Sequence, residues 1–526
     1  MRAARAQGPL APRYKGFVAS HLTIDEPHSP TPMMLSALRR SAARPRTYLA
    51  IARRLPSTAV FHPNNGEETS PWPSADNIGS ASPWASNGAW DAVGEQVALD
   101  EAPPPVMDRE AFAIPFTEAE SIFLPSEREI LDAYERQLQI RSANHLGYPY
   151  NLVFEHDDLH RFLRYSINNL GDPFVASNYG VHSRDFECAV IDFFARLWKI
   201  EPDESWGYVT TCGTEGNLHG MLLARECHPN GVLYTSRETH YSIFKAAKYY
   251  KMDLEIVDTL PMGEIDYDGL ARALEANRGR PAIVNVNVGT TVKGAVDNLD
   301  RILRTLKYAR YAPDDYHIHC DGALFALMLP FVDHAPEISF AKSVDSMTVS
   351  GHKMLGCPMP CGVALTRKKH VEKVEQRIDY LNSVDTTIMG SRNGQAALFM
   401  WHSLRRKGVE GIKRDVQTCL STARYLRDRL VDAGVRARLN DLSTTVVLER
   451  PCDEAFVRRW QLACEEDIAH VVVMPNVTEQ KVDIFVAELV KSMHHHGLQE
   501  ERRPDSPLAL LSNQAWGGVP LGPARV

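Results

Sequence analysis

Lys353 stands in the run SGHKMLGCPMPCG, with Ser350 and His352 just ahead of it. In so glycine-rich a loop little competes for the ammonium group, and a lysine there becomes a nucleophilic amine once its pKa is lowered. Taken alone it reads as a solvated surface residue. Its partner is Asp321, 32 positions earlier (353 − 321), which ends the strand-like run YHIHC and is followed by Gly322 and Ala323. A carboxylate at a strand end, beside residues small enough to admit a flat ring, can keep a pyridine nitrogen protonated. A reactive lysine together with a pyridine-directed aspartate points to pyridoxal 5′-phosphate as cofactor.

Two further segments agree with that chemistry. YVTTCGTEGNLHG reads as strand, tight turn and helix, so the N–H groups of the helix start and the Thr214 hydroxyl can receive a phosphate without a basic residue. Gly213 and Thr214 are not followed by the second Gly and the Lys of a P-loop, which argues against a nucleoside triphosphate. In SRETHYSIFKAA, His240 begins a helix after a strand, placed to lie on one face of a bound ring. Other features keep plainer readings. Cys357 and Cys361 lack two further ligands at zinc spacing, His494, His495 and His496 end a helix whose dipole suits imidazoles, and Phe193, Phe194 and Trp198 read as core. No metal is expected.

These groups need a scaffold that gathers distant strand ends. From about 184 onward, helical stretches (RDFECAVIDFFARLWK, TEGNLHGMLLARE, YSIFKAAKYY) alternate with short apolar, often β-branched ones (YVTTC, VLYTS, AIVNVNV, YHIHC). That alternation predicts an α/β fold, a mainly parallel sheet with helices on both faces and catalytic groups at the carboxyl ends of the strands. After about 371, the long helix EGIKRDVQTCLSTARYLRDRLVDAG, the strands TTVVLER and HVVVMP, and the helices DEAFVRRWQLAC and EQKVDIFVAELVKSM predict a smaller α+β domain. Ser126 and Glu129 form a capping-box pattern near the start of order. The expected division is an N-terminal extension over 1–115, an arm and large domain over 116–370, the small domain over 371–497 and a flexible tail over 498–526.

The 526 residues carry a net charge of −8, yet residues 1–56 hold ten Lys or Arg against two acids, +8, which leaves −16 (−8 − 8) for the remainder. The basic segment is rich in Arg, Ala and Ser and reads either as an organelle transit peptide or as a disordered tail. Residues 57–115 read as an acidic linker, with Trp72, Trp84 and Trp90 unusual for disorder. An acidic body argues against nucleic acid as a partner, and no run approaches the roughly 18 apolar residues of a membrane span. Nine irregularly spaced cysteines read as reduced thiols, so the cytoplasm is the expected location and a plastid or mitochondrion the alternative.

The chain resembles the pyridoxal-phosphate-dependent group II amino-acid decarboxylases of fold type I, most closely their plant-type serine decarboxylase and histidine decarboxylase branch. NHLGYPYN, SINNLGDPF, SNYGVHSR, CGTEGNLHG, SRETHYS, VNVGTTVKGAVD, HIHCDGALF, VSGHKMLGCPMPCGV, DTTIMGSRNG and RRWQLAC carry the likeness, in order, from about 143 to 480. The resemblance implies Lys353 as the covalent attachment point of the cofactor, Asp321 as the pyridinium partner, His240 as the stacking residue and Ala323 as the small contact on the other ring face. Gly213, Thr214, Ser350 and His352 would line the phosphate, Thr291 would sit beside the ring, and Ser391 in the GSR at 390–392 would approach from the second subunit of a homodimer. Tyr380 is the candidate proton donor to Cα, and Tyr148 and His182 are candidate substrate-pocket residues. The implied reaction is loss of CO2 from a small L-amino acid, serine giving ethanolamine or, alternatively, histidine giving histamine. Remoter readings are an aminotransferase, which would hold the substrate carboxylate with an arginine such as Arg450, Arg458 or Arg459, and a non-catalytic scaffold.

Overall fold

The computed structural model describes residues 108–117 and 124–495. The basic segment, Trp72, Trp84, Trp90 and the tail over 498–526 lie outside the described residues. Helix α1 (Glu127–Ala143) opens on the expected capping box: Ser126 Oγ accepts from Glu129 N at 3.3 Å, and the Glu129 carboxylate accepts from Ser126 N at 2.9 Å. Helix α2 (Arg184–Leu197) buries Val190, Ile191 and Phe194 along one stripe, and the Trp198 that follows donates its indole N–H to Ala326 O at 2.8 Å. Phe194 and Trp198 are core, with ring centroids 4.9 Å apart.

The expected alternation then runs through β1 (Ser205–Thr210), α3 (Gly213–Cys227), β2 (Val232–Ser236), α4 (Tyr241–Tyr250), β3 (Asp253–Val257), α5 (Tyr267–Ala276), β4 (Ala282–Asn287), α6 (Leu299–Tyr308), β5 (Tyr316–Asp321), the single turn α7 (Phe325–Met328), β6 (Ser346–Ser350) and β7 (Gly362–Arg367). The strands form one sheet in the order β1-β7-β6-β5-β4-β2-β3. Only β7 opposes its neighbours: it pairs antiparallel with β1 and β6, while β2 to β6 pair in parallel. Strands covered on both faces are apolar or internally satisfied along their whole length. Accordingly β2 and β4 are buried at every position. The covering helices present a single apolar stripe, as α6 does with Leu299, Ile302 and Leu306.

Beyond β7 come α8 (Lys368–Val371), a hairpin of β8 (Gln376–Ile378) and β9 (Ser383–Asp385), and α9 (Gly394–Asp432). The sequence reading starts the long helix at 410, whereas the structure carries it back to Gly394 across a break at Gly408, whose φ of 58° glycine adopts without a Cβ penalty. A second, antiparallel sheet follows, ordered β10-β11-β13-β12 from β10 (Ala437–Leu439), β11 (Thr445–Glu449), β12 (Ala463–Glu465) and β13 (Ile468–Val472), with helices α10 (Glu454–Arg459) and α11 (Glu479–His495). This is the smaller C-terminal α+β unit that the changed sequence rhythm implies. Among the described residues no helix is long and apolar enough to cross a membrane.

Candidate active site

Strands β1, β2, β5 and β6 point the same way, and their carboxyl ends deliver Gly213, His240, Asp321 and Lys353 to one edge of the sheet. The approach is close. A Cβ on Gly213 would lie 2.7 Å from Ser350 Oγ and 3.3 Å from Ala323 Cβ, so three segments far apart in the chain meet with no room for a side chain at 213. Ser350 N donates to Ala323 O at 2.8 Å, which fixes the end of β6 beside the end of β5.

Asp321 is only 7 % exposed. Its Oδ2 accepts from Asn217 Nδ2 at 2.8 Å and its Oδ1 from Ala323 N at 3.3 Å. Asn217 Nδ2 also donates to Ser242 Oγ at 2.9 Å, and that hydroxyl lies 2.7 Å from His240 Nδ1. The Ser242 backbone N–H points at the same nitrogen at 3.3 Å. With Nδ1 receiving donors, the proton of neutral His240 sits on Nε2. Burial lowers the His240 pKa, Lys353 and Lys245 add to the effect, and Asp321 opposes it.

Lys353 is half-buried, and its Nζ makes no hydrogen bond or ion pair among the described residues. Burial lowers its pKa against the opposing charges of Asp321 and Cys212. Its loop is anchored at both sides: Lys353 O accepts from Asn151 N and Gly356 N, Asn151 Nδ2 donates to Met354 O at 3.0 Å, and His352 Nδ1 lies 2.9 Å from Cys361 O. Thr214 lies half-buried in the first turn of α3, an end that no side chain caps. Those first-turn N–H groups are therefore free to receive an anion.

The remaining sequence candidates are exposed or half-buried. Thr291 is exposed in the turn after β4. Ser391 is exposed and accepts from Asn168 Nδ2 at 3.1 Å, whereas its neighbour Arg392 turns inward to a buried ion pair with Glu187. Tyr380 is 82 % exposed on the turn between β8 and β9. Tyr148 is 47 % exposed and reaches the lysine loop through a file of rings, Tyr148 to His145 (5.9 Å), His145 to Tyr150 (5.7 Å) and Tyr150 to His352 (5.7 Å). His182 Nδ1 accepts from Arg184 N at 3.3 Å. Arg450 is paired with Glu454 at 2.8 Å and Arg459 with Glu488 at 3.1 Å, engagements that weigh against an aminotransferase-like carboxylate clamp. Asn217 and Ser242 escaped the sequence reading. The available signal was Asn217 lying four residues after Gly213, one turn along the same helix face.

An amine without a partner, a buried acceptor-only carboxylate, an uncapped helix start and a floor of Gly213 and Ala323 fit a flat ring carrying a phosphate. Together with the sheet order they define a fold type I pyridoxal-phosphate enzyme. Residues 206–445 match the pyridoxal-dependent decarboxylase conserved domain. The chain is 59% identical over 362 residues to serine decarboxylase 1 of Oryza sativa subsp. japonica, covering 69% of this chain and 75% of that protein. It is 50% identical over 373 residues to histidine decarboxylase of Solanum lycopersicum, covering 70% and 90%. A crystal structure of L-methionine decarboxylase from Streptomyces sp.590 matches with a TM-score of 0.67 at 26% identity, covering 74% of this chain and 98% of that one. The chain belongs to the pyridoxal-dependent decarboxylase family and is a pyridoxal-phosphate-dependent amino-acid decarboxylase.

Proposed function

We propose that the protein converts L-serine to ethanolamine and CO2, a reading carried by the 59% identity over 362 residues to a serine decarboxylase. The 50% identity to a histidine decarboxylase, over 90% of that protein's length, favours L-histidine as the second reading. Both substrates are small zwitterions, so selection falls to pocket shape and a few hydrogen bonds, for which Tyr148 and His182 are the candidates. Supplying the purified enzyme with each amino acid and measuring ethanolamine, histamine and CO2 tests the order. Ethanolamine is expected, and histamine without ethanolamine would reverse it.

When bound, pyridoxal phosphate supplies an electron sink for the pair left behind as CO2 departs. Lys353 is the proposed attachment residue, its pKa lowered by burial. Asp321, held in place by Asn217 and the Ala323 N–H, would keep the ring nitrogen protonated and the sink charged. His240 would cover one ring face and Ala323 the other, with Thr291 alongside. Gly213, Thr214, Ser350 and His352 would hold the phosphate, whose charge the uncapped start of α3 would offset. Tyr380 is proposed to donate the proton to Cα, and Ser391 to complete the phosphate site across a homodimer interface. The solvent-exposed Tyr148 and Tyr150, both packed against His145, support such an interface, since exposed aromatic groups side by side seek a partner surface. None of the nine cysteines is in a disulfide, which supports a reducing compartment, the cytoplasm first and an organelle second. Fusing residues 1–56 to a fluorescent reporter separates the two.

A further inference from the structure

At the ends of α3 and β5 remote from Lys353, three side chains of metal-binding type meet. Cys227 closes α3, His317 is the second residue of β5, and His370 lies in α8. Cys227 Sγ and one ring nitrogen of each histidine lie within 4.8 Å of one another. The sulfur is 3.3 Å from His370 Nδ1, and His370 Nε2 donates to Asp345 Oδ1 at 2.8 Å. An imidazole held by a carboxylate on one nitrogen, with the other aimed at a thiol, has the outer support that orients metal-binding histidines.

The third group has an unmet need. His317 is completely buried and its Nδ1 has no hydrogen-bond partner. Its protonation follows from a chain of bonds that starts at Asp321. The Asp321 carboxylate accepts only, so Asn217 presents Nδ2 to it and Oδ1 to His319 Nε2, 3.0 Å away. His319 Nδ1 then accepts from Ser346 Oγ at 2.8 Å, which uses the only hydroxyl hydrogen. Ser346 Oγ can therefore only accept from His317 Nε2, 3.4 Å away, and the proton of neutral His317 sits there. His317 Nδ1 is left as a buried lone pair, a group that is costly to leave without a partner.

We propose that Cys227, His317 and His370 bind one Zn²⁺ ion through the thiolate and the two imidazoles, with solvent in the fourth position. Two imidazoles and one thiolate suit a borderline-soft d¹⁰ cation. Binding displaces the Cys227 thiol proton to solvent. The charges of Zn²⁺, the thiolate and the Asp345 carboxylate then sum to zero, which suits a partly buried site. The ion ties the end of α3 to β5 and α8. The opposite ends of α3 and β5 carry Asn217 and Asp321. The sequence reading expected no metal because it weighed only neighbouring ligands, while these three lie 90 (317 − 227) and 53 (370 − 317) positions apart.

The test uses the full-length enzyme with its cofactor, stripped by a chelator and titrated with ZnSO4 against a chromophoric competitor. One equivalent is expected per chain, with X-ray absorption showing one sulfur at about 2.3 Å and nitrogen at about 2.0 Å. Cys227→Ala is expected to remove the sulfur and to weaken binding at least about a hundredfold, while His370→Gln weakens it without removing the sulfur. Equal affinity in the wild type and Cys227→Ala, or a wild-type spectrum without sulfur, would overturn the site. The second result decides the matter even where a variant fails to fold.

Discussion

Each residue at the sheet edge is constrained by what its neighbours can donate or accept. Asn217 spends both amide hydrogens, on Asp321 and Ser242, and its oxygen on His319, so it sets Asp321 and the His240 tautomer together. Asn217→Ala leaves a buried His319 N–H without an acceptor and Asp321 short of one donor. Such a loss costs about 1–3 kcal/mol, so cofactor affinity measured by absorbance is expected to fall about tenfold to a hundredfold. Unchanged affinity would remove Asn217 from the site. Lys353→Ala is expected to abolish CO2 release and the covalent retention of cofactor after borohydride reduction, and retention in that variant would exclude Lys353 as the attachment point. Lysine and aspartate were legible in the sequence because few other residue types could do their chemistry. Asn217 was not, because an asparagine in a helix reads as a solvated position until the strand opposite it is known.

At the scale of elements, the period of the strand meshes with the period of the helix. His317, His319 and Asp321 alternate along one face of β5, and Asn217, Gly220 and Cys227 lie on the facing side of α3. Gly220 is small because a Cβ there would come within 2.3 Å of His319 Nδ1. Gly213 is small for the same kind of reason at the other end, against Ser350 Oγ. Gly213→Ala should therefore push the start of α3 away from the end of β6, and the expected result is cofactor affinity at least about tenfold weaker with little change in thermal stability. A loss of stability with cofactor affinity retained would instead make Gly213 a packing residue. Strands β2, β4 and β5 were legible as apolar, β-branched runs. Strand β6, SMTVS, was not singled out, because Ser and Thr interrupt its apolar run; it is a buried strand in which Ser346 finds a partner in His319. The first part of α9 was lost to the same ambiguity, since Gly408 breaks the periodicity that would have joined it to the rest.

At the scale of the whole molecule, folding buries several imidazoles in neutral form. His219 stacks on Trp206 at 5.2 Å and bonds Thr386 O at 3.0 Å, and burial lowers its pKa from 6.5 to about 4, while His156 and His470 are lowered to about 4 for the same reason. A depressed folded-state pKa means the unfolded chain takes up protons first. The contribution is therefore complete above pH 6.5 and is lost as pH falls from 6.5 towards 4, by roughly 3 kcal/mol for His219. Melting temperature should fall steeply over that window and less steeply in His219→Gln, and a melting temperature flat from pH 7 to 5 would contradict it. The turn Arg109–Phe112 buries no residue, Phe116 is 97 % exposed, and among the described residues the core is first met at Ile140 and Ala143. Tolerance to truncation follows the burial of the removed backbone. A chain starting near residue 110 is thus expected to fold, to sediment as the same oligomer as the full protein and to release CO2 at the same rate. Trp72, Trp84 and Trp90 make the contrary result informative: if the shortened chain differs from the full protein in oligomeric state or loses activity, those side chains pack against the decarboxylase and the extension is part of its fold.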